Sequence, residues 1–361
     1  MRRKVLFAVA AVVLASGVMV IGLLGADLLL HRRAERSAGL NIWGYRGPTV
    51  PRRHPGEPRV AVLGGSTAFG YGVTWDNAFP TALERALKAS APGRQWSVVN
   101  LGYNNEGAYS FRFTLEDFVY LEPDVVVLYE GYNDMIGDDG PNTSLFRHDS
   151  PVFLLTGYMP ILPLIFNEKA LALRHGGDLD AAYADAQGHG KVVFRPNLAA
   201  RATATTLEAA VVLEQSIESQ LRRFSSTPAH AAGAGAGTDG CGDPWRHYCE
   251  SVAVAVDYAL SRNQKVIVAG QPSLASEHLR TRQEDQQRAL AELLRRRFAG
   301  NSGVRYVNLA QAVDLSDHAA APDGMHLNAG ANQSLAQQLV APVLDILGTP
   351  HSAPGDADSR R

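Results

Sequence analysis

Arg59-Val-Ala-Val-Leu-Gly-Gly-Ser-Thr-Ala-Phe-Gly-Tyr-Gly-Val73 is an apolar run that stops abruptly at two glycines and a serine. Val60 to Leu63 have the continuous apolar character of a strand buried on both faces, and such strands belong to parallel sheets. Gly64 and Gly65 free the backbone to turn sharply and present Ser66 just past the strand end. Ser66 is the candidate nucleophile. A serine at this position also serves as an ordinary turn or helix-cap residue, so the later strand ends must decide between the two readings.

Outward from this stretch the chain alternates regularly. Asn77 to Ala89 has the apolar spacing of an amphipathic helix, with Phe79, Leu83, Ala86 and Leu87 on one face. Trp96 to Leu101 is a second strand and opens into Gly102-Tyr-Asn-Asn-Glu-Gly107. Phe111 to Leu121 is a helix, and Asp124 to Tyr129 is a third strand that breaks at Gly131-Tyr-Asn-Asp134. Trp245 to Leu260 is a helix, Lys265 to Gly270 a fourth strand, Ser276 to Phe298 a charged helix and Val304 to Leu309 a fifth strand. Leu327 to Leu347 is the final helix. Strand, loop and helix in alternation imply an α/β fold, a parallel five-stranded sheet with helices on both faces.

Two regions interrupt the alternation. From Met135 to about Asn197 the chain carries Pro151, Pro160 and Pro163 and an apolar patch from Val152 to Phe166, which suits a cap, a cleft wall or a membrane-facing surface. Leu198 to Phe224 then has the pattern of a long helix, and Ala229 to Gly240 is a Gly/Ala low-complexity loop. His175, Asp178 and His189 lack ligand spacing and are expected to be solvated. The expected organisation is a membrane anchor or signal over 1–30, a linker over 31–58, a catalytic domain over 59–347 with insertions at about 135–197 and 225–244, and a disordered tail over 348–361.

The 361 residues, 46% of them hydrophobic, are enough for a sizeable core. A formal net charge of -2 and scattered arginines leave no electrostatic footprint for nucleic acid, and none is expected as a partner. Val5 to Ala26 carries no charge, and as a helix it spans roughly the 30 Å of a bilayer's hydrocarbon core. It is a membrane segment or an export signal. The absence of a clear small-residue cleavage site favours an uncleaved anchor, and Arg2, Arg3 and Lys4 favour a cytoplasmic N-terminus, a bias that Arg32, Arg33 and Arg36 on the other flank weaken. The remainder then faces a periplasmic or extracellular space. There Cys241 and Cys249 are expected to form a disulfide; His247 between them lacks a fourth metal ligand, and no metal is expected.

At the other end of the presumed sheet lies Ala321-Pro-Asp-Gly-Met-His-Leu-Asn328, between the last strand and the last helix. Ser66, Gly102 to Gly107, Gly131 to Asp134 and Asp323 to His326 all follow strands, so they converge on the carboxyl rim of a parallel sheet. Acyl transfer needs this set of groups. His326 is the base for the Ser66 hydroxyl, Asp323 orients the imidazole, and the Asn133 amide with the N–H groups of Ser66 and Gly107 would meet an oxyanion. Gly102 is the alternative to Gly107. Tyr132, beside the third loop, and Gln271, just beyond the fourth strand, are candidate substrate contacts, and Trp75, Tyr103 and Tyr109 are further aromatics near the loops.

Gly64-Gly-Ser-Thr67, Asn100-Leu-Gly102 with Gly107, Gly131-Tyr-Asn-Asp134 and Asp323-Gly-Met-His326 resemble, in order, the four blocks of the SGNH or GDSL-type hydrolases. The resemblance covers most of Arg59 to Leu347 outside the insertions. It implies a three-layer α/β/α, flavodoxin-like fold, a Ser-His-Asp triad, an oxyanion hole from serine, glycine and asparagine, and no metal or other cofactor. Gly-Gly-Ser-Thr in place of Gly-Asp-Ser-Leu is similar to branches that act on extracellular polysaccharides, and the second block is about two residues longer than usual. The expected activity is hydrolysis of an acyl ester on an extracytoplasmic glycan or lipid. An O-acyltransferase using the same triad, and a non-catalytic glycan-binding or assembly protein, are the alternatives.

Overall fold

The computed structural model describes residues 2–34, 39–135, 141–163 and 241–349. The expected helix from Leu198 to Phe224, the Gly/Ala loop, most of the first insertion with His175, Asp178 and His189, and nearly all of the tail lie outside the described residues.

The chain divides into two compact units, one of 1–34 with 147–232 and one of 35–146 with 233–361. The second holds the sheet. Its strands are β1 (Arg59–Gly64), β2 (Ser97–Asn100), β3 (Val125–Tyr129), β4 (Lys265–Gly270) and β5 (Val304–Asn308), all parallel, in the order β2-β1-β3-β4-β5. This is the flavodoxin-like order, whose direction of winding reverses between β1 and β3. Residues of β1 and β3 are buried throughout. Their Val, Ala and Leu side chains are what a strand covered on both faces requires.

One helical layer pairs α3 (Phe79–Ser90) with the last helix, α8 (Ala329–Ile346). The other packs α4 (Ser110–Asp117) and α7 (Glu277–Arg297) against α6 (Arg246–Ser261). The result is the three-layer α/β/α sandwich. A disulfide joins Cys241 to Cys249 at the start of α6.

Residues 39–58 are not a free linker. Leu40 and Arg46 form an antiparallel bridge, and Arg46 bridges in turn to Asn100 at the end of β2. Leu40, Tyr45 and Arg46 are buried. Arginine and glycine density gave this stretch the composition of a connector, but Leu40, Tyr45 and the Arg46 guanidinium are consumed by packing, while Trp43 stays exposed.

In the first unit, α1 (Arg2–Ala34) is the one helix among the described residues long and apolar enough to cross a membrane. Its side chains from Val5 to Leu24 are exposed. The short α5 (Pro151–Thr156) belongs to the same unit.

Candidate active site

The nucleophile turn is built by crowding. Past β1 the backbone bends into α2 (Ser66–Phe69), a single turn closed by Phe69 N–H to the Gly65 carbonyl at 2.9 Å. A Cβ on Gly65 would overlap the Asn133 amide and the Glu130 carboxylate, so only glycine lets the three approach. Arg46 closes the far side. Its guanidinium lies 4.2 Å over the Phe69 ring and donates to the carbonyls of Phe69, of Gly70 at 2.6 Å and of Val73 at 2.5 Å.

The β5–α8 loop brings Asp323 and His326 to Ser66. Asp323 Oδ1 accepts the backbone N–H groups of Met325 at 3.0 Å and His326 at 2.7 Å, which curls the loop around the carboxylate. Asp323 Oδ2 lies 2.6 Å from His326 Nδ1, and His326 Nε2 lies 2.7 Å from Ser66 Oγ. With the Nδ1 proton donated to the carboxylate, Nε2 is left as acceptor for the serine hydroxyl. Burial alone would raise the Asp323 pKa, but the hydrogen bonds from the His326 ring and from the backbone of His326 and Met325 hold it below the usual carboxylate value. The loop is seated by α8, where Asn328 caps the first turn through Ala331 N–H at 2.8 Å and Asn332 joins Leu327 O to Phe79 N–H.

The candidate oxyanion donors lie on the loops after β2 and β3, which are hydrogen-bonded to each other. Asn133 Nδ2 donates to the Glu106 carbonyl at 2.9 Å, which leaves its second proton beside Gly65 and Ser66. Gly107 follows Glu106 directly, and its N–H makes no hydrogen bond among the described residues. The N–H of Gly102 is donated to Asn100 Oδ1 at 3.0 Å. The Gly102 N–H is therefore already engaged within its own loop. Asp134 holds the two loops together by accepting Ala108 N–H at 3.0 Å, and burial followed by the neighbouring Glu130 charge keeps its pKa well above the ordinary value.

Tyr132 and Gln271 take other roles than substrate contact. Both are buried. The Tyr132 hydroxyl donates to the Pro272 carbonyl, its N–H donates to Gln271 Oε1 at 2.8 Å, and Gln271 Nε2 donates to Thr67 Oγ1 at 2.8 Å. Gln271 thereby ties the nucleophile turn to the oxyanion loop. This accounts for the threonine of Gly-Gly-Ser-Thr, whose hydroxyl is the acceptor.

Glu130 is the residue that the sequence reading passed over. Fully buried between β3 and Gly131, its carboxylate accepts the N–H groups of Gly65 at 2.5 Å, Gly131 at 2.9 Å and Asn133 at 3.0 Å. It spans Gly65, the residue before Ser66, and Asn133. Desolvation pushes its pKa up to about 7 against the pull of those donors. The available signal was one ionisable side chain at the inner end of an apolar strand, where a charge is costly unless it is hydrogen-bonded.

Tyr71 also went unnoticed. It is half exposed, with its ring 4.9 Å from that of His326. Among the aromatics singled out from the sequence, Tyr103 stacks on Phe146 at 6.2 Å, Tyr109 stacks on His247 at 5.7 Å, and Trp75 packs over Gly39 and Gly47.

No protein-family model and no curated protein matches this sequence. Among solved structures, the chain is similar to a lipolytic protein of the G-D-S-L family from Desulfitobacterium hafniense, at 9% identity and a TM-score of 0.41, over 79% of this chain and 99% of that one. An acetylxylan esterase from Geobacillus stearothermophilus aligns at 12% identity and a TM-score of 0.42, over 82% and 98%. A carbohydrate esterase family 2 enzyme with a carbohydrate-binding domain, from Corynascus thermopiles, aligns at 12% and 0.41, over 84% and 70%.

Proposed function

We propose that this chain is a membrane-anchored serine ester hydrolase that removes acyl groups from an extracytoplasmic glycan or lipid. The observation that carries the reading is the unbroken line from Asp323 Oδ2 through His326 to Ser66 Oγ, with links of 2.6 and 2.7 Å. In the reaction, Ser66 Oγ attacks the ester carbonyl as His326 Nε2 takes its proton. Asp323 holds the ring and stabilises the imidazolium. The oxyanion is met by the free Asn133 amide proton and the N–H groups of Ser66 and Gly107, and each such donor is worth roughly 10²–10³ in rate. His326 then protonates the departing alkoxide, and a water activated by the same nitrogen releases the acid from the acyl-serine.

Hydrolysis requires water at the acyl-serine, and the triad is open to solvent. The Asp323 side chain is 52% accessible, so water reaches the edge of the triad. Tyr71, half exposed beside His326, is positioned to meet the alcohol part of the ester, and an aromatic face there suits a sugar ring.

The test is fluorophosphonate labelling of the full chain together with turnover of p-nitrophenyl acetate, for wild type and Ser66→Ala. Labelling and turnover should both disappear in the variant while its melting temperature is kept. A folded wild type that neither labels nor turns over would sink the reading in favour of a binding or assembly protein. An acyl-chain series separates the substrates: activity that falls steeply beyond acetyl points to a glycan ester, and sustained activity on long chains to a lipid.

A further inference from the structure

The last turns of α1 carry two polar side chains on one face, Asp27 and His31, four residues apart and both buried. They are bolted to a single short segment. Asp27 Oδ1 accepts the backbone N–H groups of Ile161 at 2.9 Å and Leu162 at 2.6 Å, and Asp27 Oδ2 accepts the Tyr158 hydroxyl. His31 Nε2 donates to the Met159 carbonyl at 2.8 Å, and its ring meets that of Tyr158 edge-on at 5.8 Å. A carboxylate at the end of a membrane-length helix is costly unless its lone pairs are satisfied, and residues 158–162 satisfy them. Both partners must be offered in helical register. A helix cut down to its last two turns would hold that register only marginally, so the bolt needs the rest of α1 in place.

The opposite face of α1 at this level is apolar. Leu28 and Leu29, which follow Asp27 in sequence, remain 39% and 60% exposed. The bolted segment therefore sits at a depth where the anchor helix still presents leucine outward. One residue before Tyr158 the chain turns at Gly157, in the left-handed region at φ 71°, and leads back into α5. There Leu154 and Leu155 stand 44% and 61% exposed, while Phe153 of the same turn is buried.

From this placement we propose that α5 docks on the bilayer that holds α1, with Leu154 and Leu155 entering the lipid interface as a second membrane contact. The occupant is lipid because the exposed leucines lie a few residues before a segment hydrogen-bonded to α1, whose own leucines at that level are exposed. A short segment with two leucines would bind lipid weakly alone. Tethered to an inserted helix it is held at the interface, where apolar side chains penetrate about 5–10 Å. The inference rests on the anchor reading of α1 and is independent of the triad.

The experiment uses the full chain in phosphatidylcholine–phosphatidylglycerol vesicles, with and without brominated acyl chains. The native cysteines are joined to each other, so one introduced cysteine carries the environment-sensitive NBD fluorophore at Leu155→Cys, at Val12→Cys within α1, or at Glu292→Cys on α7. The expected result is a blue-shifted emission at 155 that brominated lipid quenches roughly twofold or more, strong quenching at 12, and none at 292. Adding Asp27→Ala should reduce quenching at 155 while leaving that at 12 intact. A water-like signal at 155 beside a quenched 12 overturns the proposal alone. So does a blue shift at 155 without bromine quenching, which would mean that protein covers the leucines. An unquenched 12 overturns the anchor reading and this inference with it, while fluorophosphonate labelling reports on the triad separately.

Discussion

Glu130 shows how much of an active site a side chain can organise without touching the reacting atoms. Its two oxygens accept N–H groups from Gly65, Gly131 and Asn133, so the nucleophile turn and the oxyanion loop share one acceptor. In Glu130→Gln the amide group would direct N–H bonds at backbone N–H donors. The asparagine should then lose its place beside Ser66. The expected result is a fall in kcat of about ten- to a hundredfold with KM nearly unchanged, since an oxyanion donor acts chiefly in the transition state. Equal losses in kcat and melting temperature, with KM raised, would point to a general packing defect instead. The same carboxylate gives a pH signature in stability. Its folded pKa near 7 lies above the ordinary 4.5, so between these values the native state holds a proton that the unfolded chain has released. This contribution is fully present below about pH 4.5 and is lost as the pH rises through about 7. Melting curves of wild type should therefore lose stability across that window relative to Glu130→Gln, and parallel profiles for the two proteins would remove the assignment.

At the scale of elements, the strands were legible because each is a short apolar run ended by glycine or a polar residue. β1 and β3 are written as Val, Ala, Leu and Tyr, and covering on both faces leaves little room for another composition. The four loops were legible as well, because chemistry-bearing residues sit directly after strand ends, and the structure brings Ser66, His326 and Asp323 into one hydrogen-bonded line. What composition hid was the support. Arg46 sits in a stretch with no periodicity, and its three carbonyl partners belong to a turn more than twenty residues away. Gln271 and Tyr132 read as candidate substrate contacts because position after a strand indicates the rim of the cleft and not the direction of a side chain. The disulfide, by contrast, was local enough to anticipate. It closes a loop of sequence separation 8 ahead of α6, the helix whose Tyr248 hydroxyl donates to the Glu130 carbonyl at 3.0 Å. Chain entropy for so short a loop corresponds to about 2–3 kcal/mol. Replacing both cysteines by serine should lower the unfolding free energy by that amount, seen as a lower denaturation midpoint, and should make fluorophosphonate labelling more sensitive to temperature. An unchanged midpoint would show that the packing of Trp245 and Tyr248 fixes this end of α6 unaided.

For the molecule as a whole, the decisive boundary lies earlier than composition suggests. The unit that contains the sheet begins near residue 35, ahead of β1. Leu40 and Tyr45 are buried in it, Arg46 pairs with Asn100 at the end of β2, and the Arg46 guanidinium holds the turn that carries Ser66. Two shortened chains separate a connector from a structural part. One beginning at Gly39 lacks α1 but keeps these contacts, and it should melt cooperatively and label at Ser66 at the full-length rate. One beginning at Arg59 keeps every strand and the complete triad, yet loses two buried apolar side chains and a charged group with three carbonyl acceptors. Together these are worth about 5 kcal/mol or more. Since a domain's entire stability is roughly 5–15 kcal/mol, the second chain should melt far lower or not cooperatively, and should label slowly if at all. Equal melting temperatures and labelling rates would mean that residues 39–58 only lie against the sheet domain, and that Ser66 is held by Glu130 and Gln271 alone.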